Sequence, residues 1–305
     1  MMGLISFQEI SRMSFLKLSI FLVALLLSAC GSTTKELTEG EKKAELYYSH
    51  GTKLLIEKHY TEALDALGKA YALTPNDARI LNNLGMTYYF KGKMELAEQH
   101  LKRSLELDAK NSDAKNNLAS LFYTQGRMEE AKKIYKEILE DLVYEHQYRT
   151  YYNLALISLQ QKQSAEAISY LEKSLKERSD YCSAFFKLGE IYREKHSFAT
   201  ALENFKEASK GECYNDPAPL YEQGITLTMM RKNDLAKEKF NELFERFSQT
   251  AYAPLATLQL KKLEGNSDEN VASQDIKTNM INPKTAKQNQ IDDEVDLELY
   301  ESPQF

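Results

Sequence analysis

The strongest constraint on this chain is a period. Six segments beginning at Ala44, Ala78, Ser112, Tyr148, Cys182 and Pro217 fall into one register, with spacings of 34, 34, 36, 34 and 35 residues. Three columns carry that register. The eighth position reads Gly51, Gly85, Ala119, Ala155, Gly189 and Gly224, and the twentieth is alanine throughout: Ala63, Ala97, Ala131, Ala167, Ala201 and Ala236. The twenty-fourth reads Leu67, Leu101, Tyr135, Leu171, Phe205 and Phe240. In the second segment, residues 78–111, Leu81, Leu84, Gly85 and Tyr88 follow the i, i+3, i+4, i+7 spacing of one helix face. Lys91-Gly92-Lys93 breaks that helix, and Ala97, Leu101 and Leu105 line a second one. Gly85 and Ala97 are small where the two helices must approach. A hairpin this short cannot bury its apolar face alone, so it needs neighbours like itself. The expected fold is all-α, a solenoid of six helix-turn-helix repeats.

The pattern of aromatic or Leu, Gly, Tyr, Ala and Phe or Leu over 34 residues resembles the tetratricopeptide repeat (TPR) family. The proline that usually stands at position 32 survives only as Pro75. The other junctions are therefore expected to rely on turn-forming pairs, which also supply helix N-caps: Asn76-Asp77, Asn111-Ser112 and Ser179-Asp180. The two extra residues before the fourth repeat lie within residues 140–147, as a longer junction or an extra half-turn. Pro217 and Pro219 open the sixth repeat, where proline is tolerated in a first turn. Residues 254–263 read as a helix that caps the exposed end of the stack.

Both ends of the chain depart from the repeat. Residues 1–29 read as a secretory signal peptide: Arg12 and Lys17 precede an apolar run over 18–27 that falls short of the about 20 residues a membrane span needs. Leu27-Ser28-Ala29-Cys30-Gly31 resembles a bacterial lipobox. The resemblance implies cleavage before Cys30, acylation of that residue, and anchoring in outer-membrane lipid, because Gly31 and Ser32 lack the Asp that favours retention at the inner membrane. An ordinary signal peptide with an incidental cysteine is the alternative. Residues 30–43 are expected to be a polar, lipidated tether, and residues 44–263 the TPR domain with its capping helix. Residues 264–305 are expected to be a disordered acidic tail. Within that tail, residues 291–301 mix acids with Ile291, Val295, Leu297 and Leu299. They read as a solvated tail or as a short motif for a partner's basic groove.

The composition excludes several functions. With 39 basic against 45 acidic residues and a formal charge of −6, the chain lacks the basic surplus of a general nucleic-acid binder. The five histidines are scattered over different repeats without ligand spacing, and no nucleophile motif or phosphate-cradling glycine loop is present. Glu95/Glu98 and Glu129/Glu130 read as solvated helix faces. No catalytic residues, metal, cofactor or small-molecule substrate are expected; the chain is read as a non-enzyme. Cys182 opens the first helix of the fifth repeat and Cys213 follows the end of its second helix. An antiparallel hairpin returns those points to the same end, so a disulfide is one reading and two unrelated thiols the other.

The TPR resemblance implies a concave protein-binding groove lined by first-helix positions 2, 5, 9, 12 and 13. Here these give Tyr48, Asn82, Met86, Tyr89, Phe90, Asn116, Tyr123, Tyr152, Leu156, Phe186, Tyr221 and Ile225, an aromatic and apolar strip with asparagines in its middle. Part of this set is expected to pack between repeats. No three consecutive repeats supply the Lys, Asn and Arg pattern that clamps a free carboxylate. The lipobox, the six repeats and a fourth repeat reading Tyr152-Asn-Leu-Ala-Leu-Ile-Ser-Leu-Gln160 and Ala167-Ile-Ser-Tyr-Leu-Glu-Lys-Ser-Leu175 resemble the type IV pilus pilotin family. That resemblance implies a lipid-anchored protein on the periplasmic face of the outer membrane, whose client is a secretin subunit that it helps to localise and assemble. A general periplasmic adaptor for outer-membrane-protein assembly or cell-wall enzymes is the alternative. The tail beyond Glu264 departs from the pilotin family.

Overall fold

The computed structural model describes residues 37–265. The signal peptide, Cys30 and the acidic tail lie outside the described residues. Helices pair as the period requires. The first repeat is α1 (Glu39–Ile56) and α2 (Tyr60–Leu73), the second α3 (Ala78–Phe90) and α4 (Met94–Leu107), and the third α5 (Ser112–Thr124) and α6 (Met128–Ile138). The fourth is α7 (Gln147–Gln160) and α8 (Ser164–Glu177), the fifth α9 (Cys182–Glu194) and α10 (Phe198–Ala208), and the sixth α11 (Pro217–Met229) and α12 (Asn233–Arg246). A 3₁₀ turn, Gly211–Asn215, precedes the sixth repeat, and α13 (Tyr252–Leu263) closes the stack. Among the described residues every regular element is helical.

The three columns are the core. All six alanines at position 20 and all six large residues at position 24 are fully buried. Burying one such Leu or Phe side chain contributes about 1.5–3 kcal/mol, and the contribution recurs in every repeat. The eighth and twenty-fourth positions fit each other. A Cβ added to Gly189 would lie 2.6 Å from the Phe205 ring, and one added to Gly224 would lie 2.5 Å from Phe240. The hairpins are also latched at their open ends: Ser104 Oγ donates to the Ala78 carbonyl and Ser174 Oγ to the Tyr148 carbonyl, both at 2.7 Å.

Every turn within a repeat uses one left-handed residue. The fifteenth position has φ of 62° at Lys58, 68° at Gly92, 77° at Gly126, 59° at Lys162, 58° at His196 and 58° at Arg231. Only two of the six are glycine, the residue that adopts this conformation without a Cβ clash.

The junctions follow the expectation in part. Asp77 caps α3 by accepting from the Arg79 N–H at 2.9 Å, and Asn111 caps α5 by accepting from the Ala114 N–H at 2.9 Å. Ser179-Asp180 does not cap α9; the residue there is Tyr181, without a side-chain cap bond. Asp180 instead accepts from Arg178 at 3.0 Å. Residues 39–43, expected as part of a polar tether, are helical. Helix α1 starts at Glu39, five residues before the repeat boundary at Ala44, because Thr38 and Glu41 form a capping box. The extra residues before the fourth repeat form a longer junction, in which Asp141 accepts from the Ser112 hydroxyl at 2.7 Å. Cys182 and Cys213 form a disulfide with Cα atoms 6.1 Å apart, joining the start of α9 to the 3₁₀ turn.

Candidate protein-binding groove

The first helices of successive repeats touch one another and form the inner face. Their contacts include a ladder of amides. Asn83 Nδ2 donates to Thr52 Oγ1 at 2.8 Å, Asn82 Nδ2 to Asn83 Oδ1 at 3.2 Å, Asn117 Nδ2 to Asn82 Oδ1 at 2.9 Å, and Asn153 Nδ2 to Asn116 Oδ1 at 3.3 Å. The ladder ties four repeats together through polar groups that burial would otherwise leave unsatisfied. The signal for it was in the sequence: Asn83, Asn117 and Asn153 all stand sixth in their repeats. Beneath the ladder the Tyr135 hydroxyl pairs with Ser120 at 2.8 Å, and burial holds its proton on well above the ordinary tyrosine range.

The twelve groove residues divide by position along the stack. Met86, Asn116, Tyr123, Tyr152, Leu156 and Phe186 are buried, most of them in the middle repeats. Tyr152 packs edge-on against Tyr181, the N-cap residue of α9, and Phe186 against Phe205 in the second helix of its own repeat, so these rings belong to the packed core and are closed to a partner. Tyr48, Asn82, Tyr89, Tyr221 and Ile225 are half-buried, and Phe90 is 41% exposed. The accessible part of the set therefore lies mainly in the first two repeats.

There, Arg79 stands with its guanidinium 4.8 Å from the Tyr48 ring centroid and bonds Glu45 at 2.9 Å and Asp77 at 2.7 Å. Burial opposes ionisation of Asp77, but the bonds from Arg79 outweigh it and hold the carboxyl below its usual range. At the other edge Phe90 stacks on Tyr60 with ring centroids 4.9 Å apart and meets Tyr89 edge-on, while the Tyr89 hydroxyl pairs with Thr124 at 3.0 Å. The result is a firm aromatic shelf of Tyr60, Tyr89 and Phe90. Aromatic groups already held in place lose little freedom on docking, which suits a protein-binding anchor.

The inner face changes character in the fifth and sixth repeats. Lys187 and Glu222 replace asparagine at the sixth position. Lys187 pairs with Glu190 at 2.8 Å, and Arg193 pairs with Glu222 across the α9–α11 contact. Among the described residues no group of three or more His, Cys, Asp or Glu side chains could hold a metal, and no helix is long and apolar enough to cross a membrane.

Repeats of this length and packing form a tetratricopeptide-repeat solenoid. Tetratricopeptide-repeat profiles match residues 78–111 and 112–176. The chain is 26% identical over 197 residues to the type IV pilus assembly protein PilF of Pseudomonas aeruginosa, covering 63% of this chain and 78% of that protein. The solved structure of P. aeruginosa PilF superposes with a TM-score of 0.60 at 21% identity, over 75% of this chain and all of that one. PilW, described as a widely conserved type IV pilus biogenesis factor, superposes with a TM-score of 0.60 at 16% identity, over 72% and 97% of the two chains. The human protein O-mannosyl-transferase TMTC3 is 27% identical over 165 residues, but these make up only 18% of that protein. The chain thus has the fold of a TPR solenoid and is similar to type IV pilus biogenesis factors.

Proposed function

We propose that this protein is a lipid-anchored TPR scaffold that serves as a pilotin: it holds a secretin subunit and carries it to the outer membrane for assembly during type IV pilus biogenesis. The observation that carries the reading is the likeness to PilF, which extends over 78% of that protein in sequence. The lipobox at Cys30 supplies the anchor in this reading. An acyl chain contributes about 0.8 kcal/mol per buried CH₂, so several chains on one residue hold firmly. Anchoring raises the local concentration of a bound client at the lipid surface, and no chemical step is needed. The client contacts fall on the accessible residues of the first two repeats: Tyr48, Asn82, Tyr89 and Phe90.

The test is a binding measurement between the purified chain and a purified secretin subunit. Tyr89→Ala together with Phe90→Ala should leave helicity intact and weaken binding at least tenfold. Unchanged affinity would remove this shelf from the client site. No measurable binding by the wild type would remove the pilotin reading.

A further inference from the structure

The junction before the fourth repeat carries a feature that neither the groove nor the core explains. Leu142 and Val143 are 88% and 87% exposed, the most exposed large apolar residues of the fold. They are not on a loose loop. Asp141 accepts from the Ser112 hydroxyl at 2.7 Å and from the Val143 N–H at 3.3 Å, and its carbonyl accepts from Gln147 at 2.6 Å. The next residue, Tyr144, donates its hydroxyl to Asp113 at 2.9 Å. Two adjacent apolar side chains are therefore held outward by fixed backbone, and seating them in an apolar medium costs little ordering entropy.

The edge on which they stand also receives the anchor. In a stack of antiparallel hairpins every junction between repeats, and the start of every first helix, lies on one edge. The contacts of that edge begin at α1: Glu45 bonds Arg79 at 2.9 Å, and Leu37 and Glu41 line an open cleft of about 540 Å³ together with the first junction, Thr74–Asp77. Cys30 stands only eight positions before Thr38, which caps α1. Fully extended, that stretch reaches about 28 Å, so acyl chains on Cys30 attach to the solenoid at this edge and hold it near the lipid.

We propose that the junction edge lies against the lipid surface that receives the Cys30 acyl chains, with Leu142 and Val143 seated in its interfacial layer. The inference rests on the anchoring in the proposed function. It specifies an orientation: the solenoid lies along the membrane on its junction edge, and the turns within repeats face away. It also specifies a lipid preference. Glu140, Asp141 and Glu145 flank the apolar pair, so a strongly anionic surface repels this site and a zwitterionic one does not.

The test uses the full chain purified from envelopes and reconstituted in phosphatidylcholine vesicles. An environment-sensitive fluorophore is placed at position 142 through Leu142→Cys. The control is Ile56→Cys at the opposite edge, where Ile56 is 76% exposed in the native chain. Co-flotation with the vesicles reports anchoring independently of either probe. The expected result is blue-shifted emission at position 142 and quenching by brominated lipid at least threefold greater than at position 56, reduced when half the lipid is anionic. A floating protein whose two probes are equally open to an aqueous quencher would overturn the proposal. So would burial of the probe only after envelope proteins are added, which would assign the pair to a protein partner. If the chain does not float, the anchoring reading fails by itself. A histidine tag at position 30 on nickel-chelating lipid then supplies the tether, and the same two probes decide the orientation.

Discussion

Replacing Lys162 by glycine should stabilise this protein, and the size of the effect follows from the turn geometry. Lys162 sits at φ 59°, in the left-handed region, as do Lys58, His196 and Arg231. That conformation costs a residue with a Cβ roughly 1–2 kcal/mol. Glycine removes the cost but gives the unfolded chain more freedom, worth about 0.5–1 kcal/mol in the other direction. The net gain is about 0.5–1 kcal/mol per site. The sites occupy different repeats, so Lys58, Lys162, His196 and Arg231 changed together should give about 2–4 kcal/mol. At ~2–4 °C per kcal/mol, that raises the melting temperature by about 4–16 °C. Urea unfolding followed by helical circular dichroism measures it, with an unchanged m-value as the sign that stability changed and the surface exposed on unfolding did not. Gly126→Ala, at φ 77°, is the mirror experiment and should destabilise by a similar amount. A neutral or destabilising Lys162→Gly combined with a harmless Gly126→Ala would refute the reasoning.

The remaining predictions come from other parts of the fold. The Cys182–Cys213 bond closes a separation of 31 residues, so Cys182→Ala with Cys213→Ala should cost about 3–4 kcal/mol in the last two repeats, seen as faster amide exchange in α9–α12. Alkylation of both thiols in non-reduced wild type would show that the bond does not form in solution. Burial lowers the pKa of His100 from its ordinary 6.5, and its ring stacks on Tyr88 at 5.2 Å. As pH falls through about 6.5, the unfolded state takes up the proton first, so stability drops until the folded-state value is passed. His100→Phe should flatten that drop in urea midpoints measured between pH 7 and 5. Gly189→Ala drives a methyl into Phe205, an overpacking worth about 1–3 kcal/mol, and Phe205→Leu should restore most of the loss, because the fourth repeat already pairs Ala155 with Leu171.

Most of the fold was legible because one period recurs. The start of α3, α5, α9 and α11 can be read from the small residue at the eighth position, and the burial of all twelve residues at positions 20 and 24 from their type. Part of what escaped depends on interactions that do not repeat. Thr38 and Glu41 extend α1 beyond the repeat boundary through a local capping box, and Tyr181 replaces the expected cap of α9. The candidate groove could be named as a set of positions, but which of its side chains stay accessible could not. A first helix serves both the concave surface and the core packed beneath it, and toward the middle of the stack the core wins. Phe186 packs against Phe205 while Phe90, at the second repeat, stays open. The turn column was hidden because lysine, histidine and arginine give no sign of positive φ; only Gly92 and Gly126 do.

The central claim is that a lipid anchor and a TPR groove act together on one client. Affinity capture from gently solubilised envelopes, comparing the wild type with Cys30→Ala and identifying bound proteins by mass spectrometry, tests it most directly. The account predicts a secretin subunit bound to the wild type, and the same subunit mislocalised or unassembled in cells carrying Cys30→Ala. Barrel-assembly components or cell-wall enzymes in its place, or a secretin ring that assembles normally without Cys30, would contradict it.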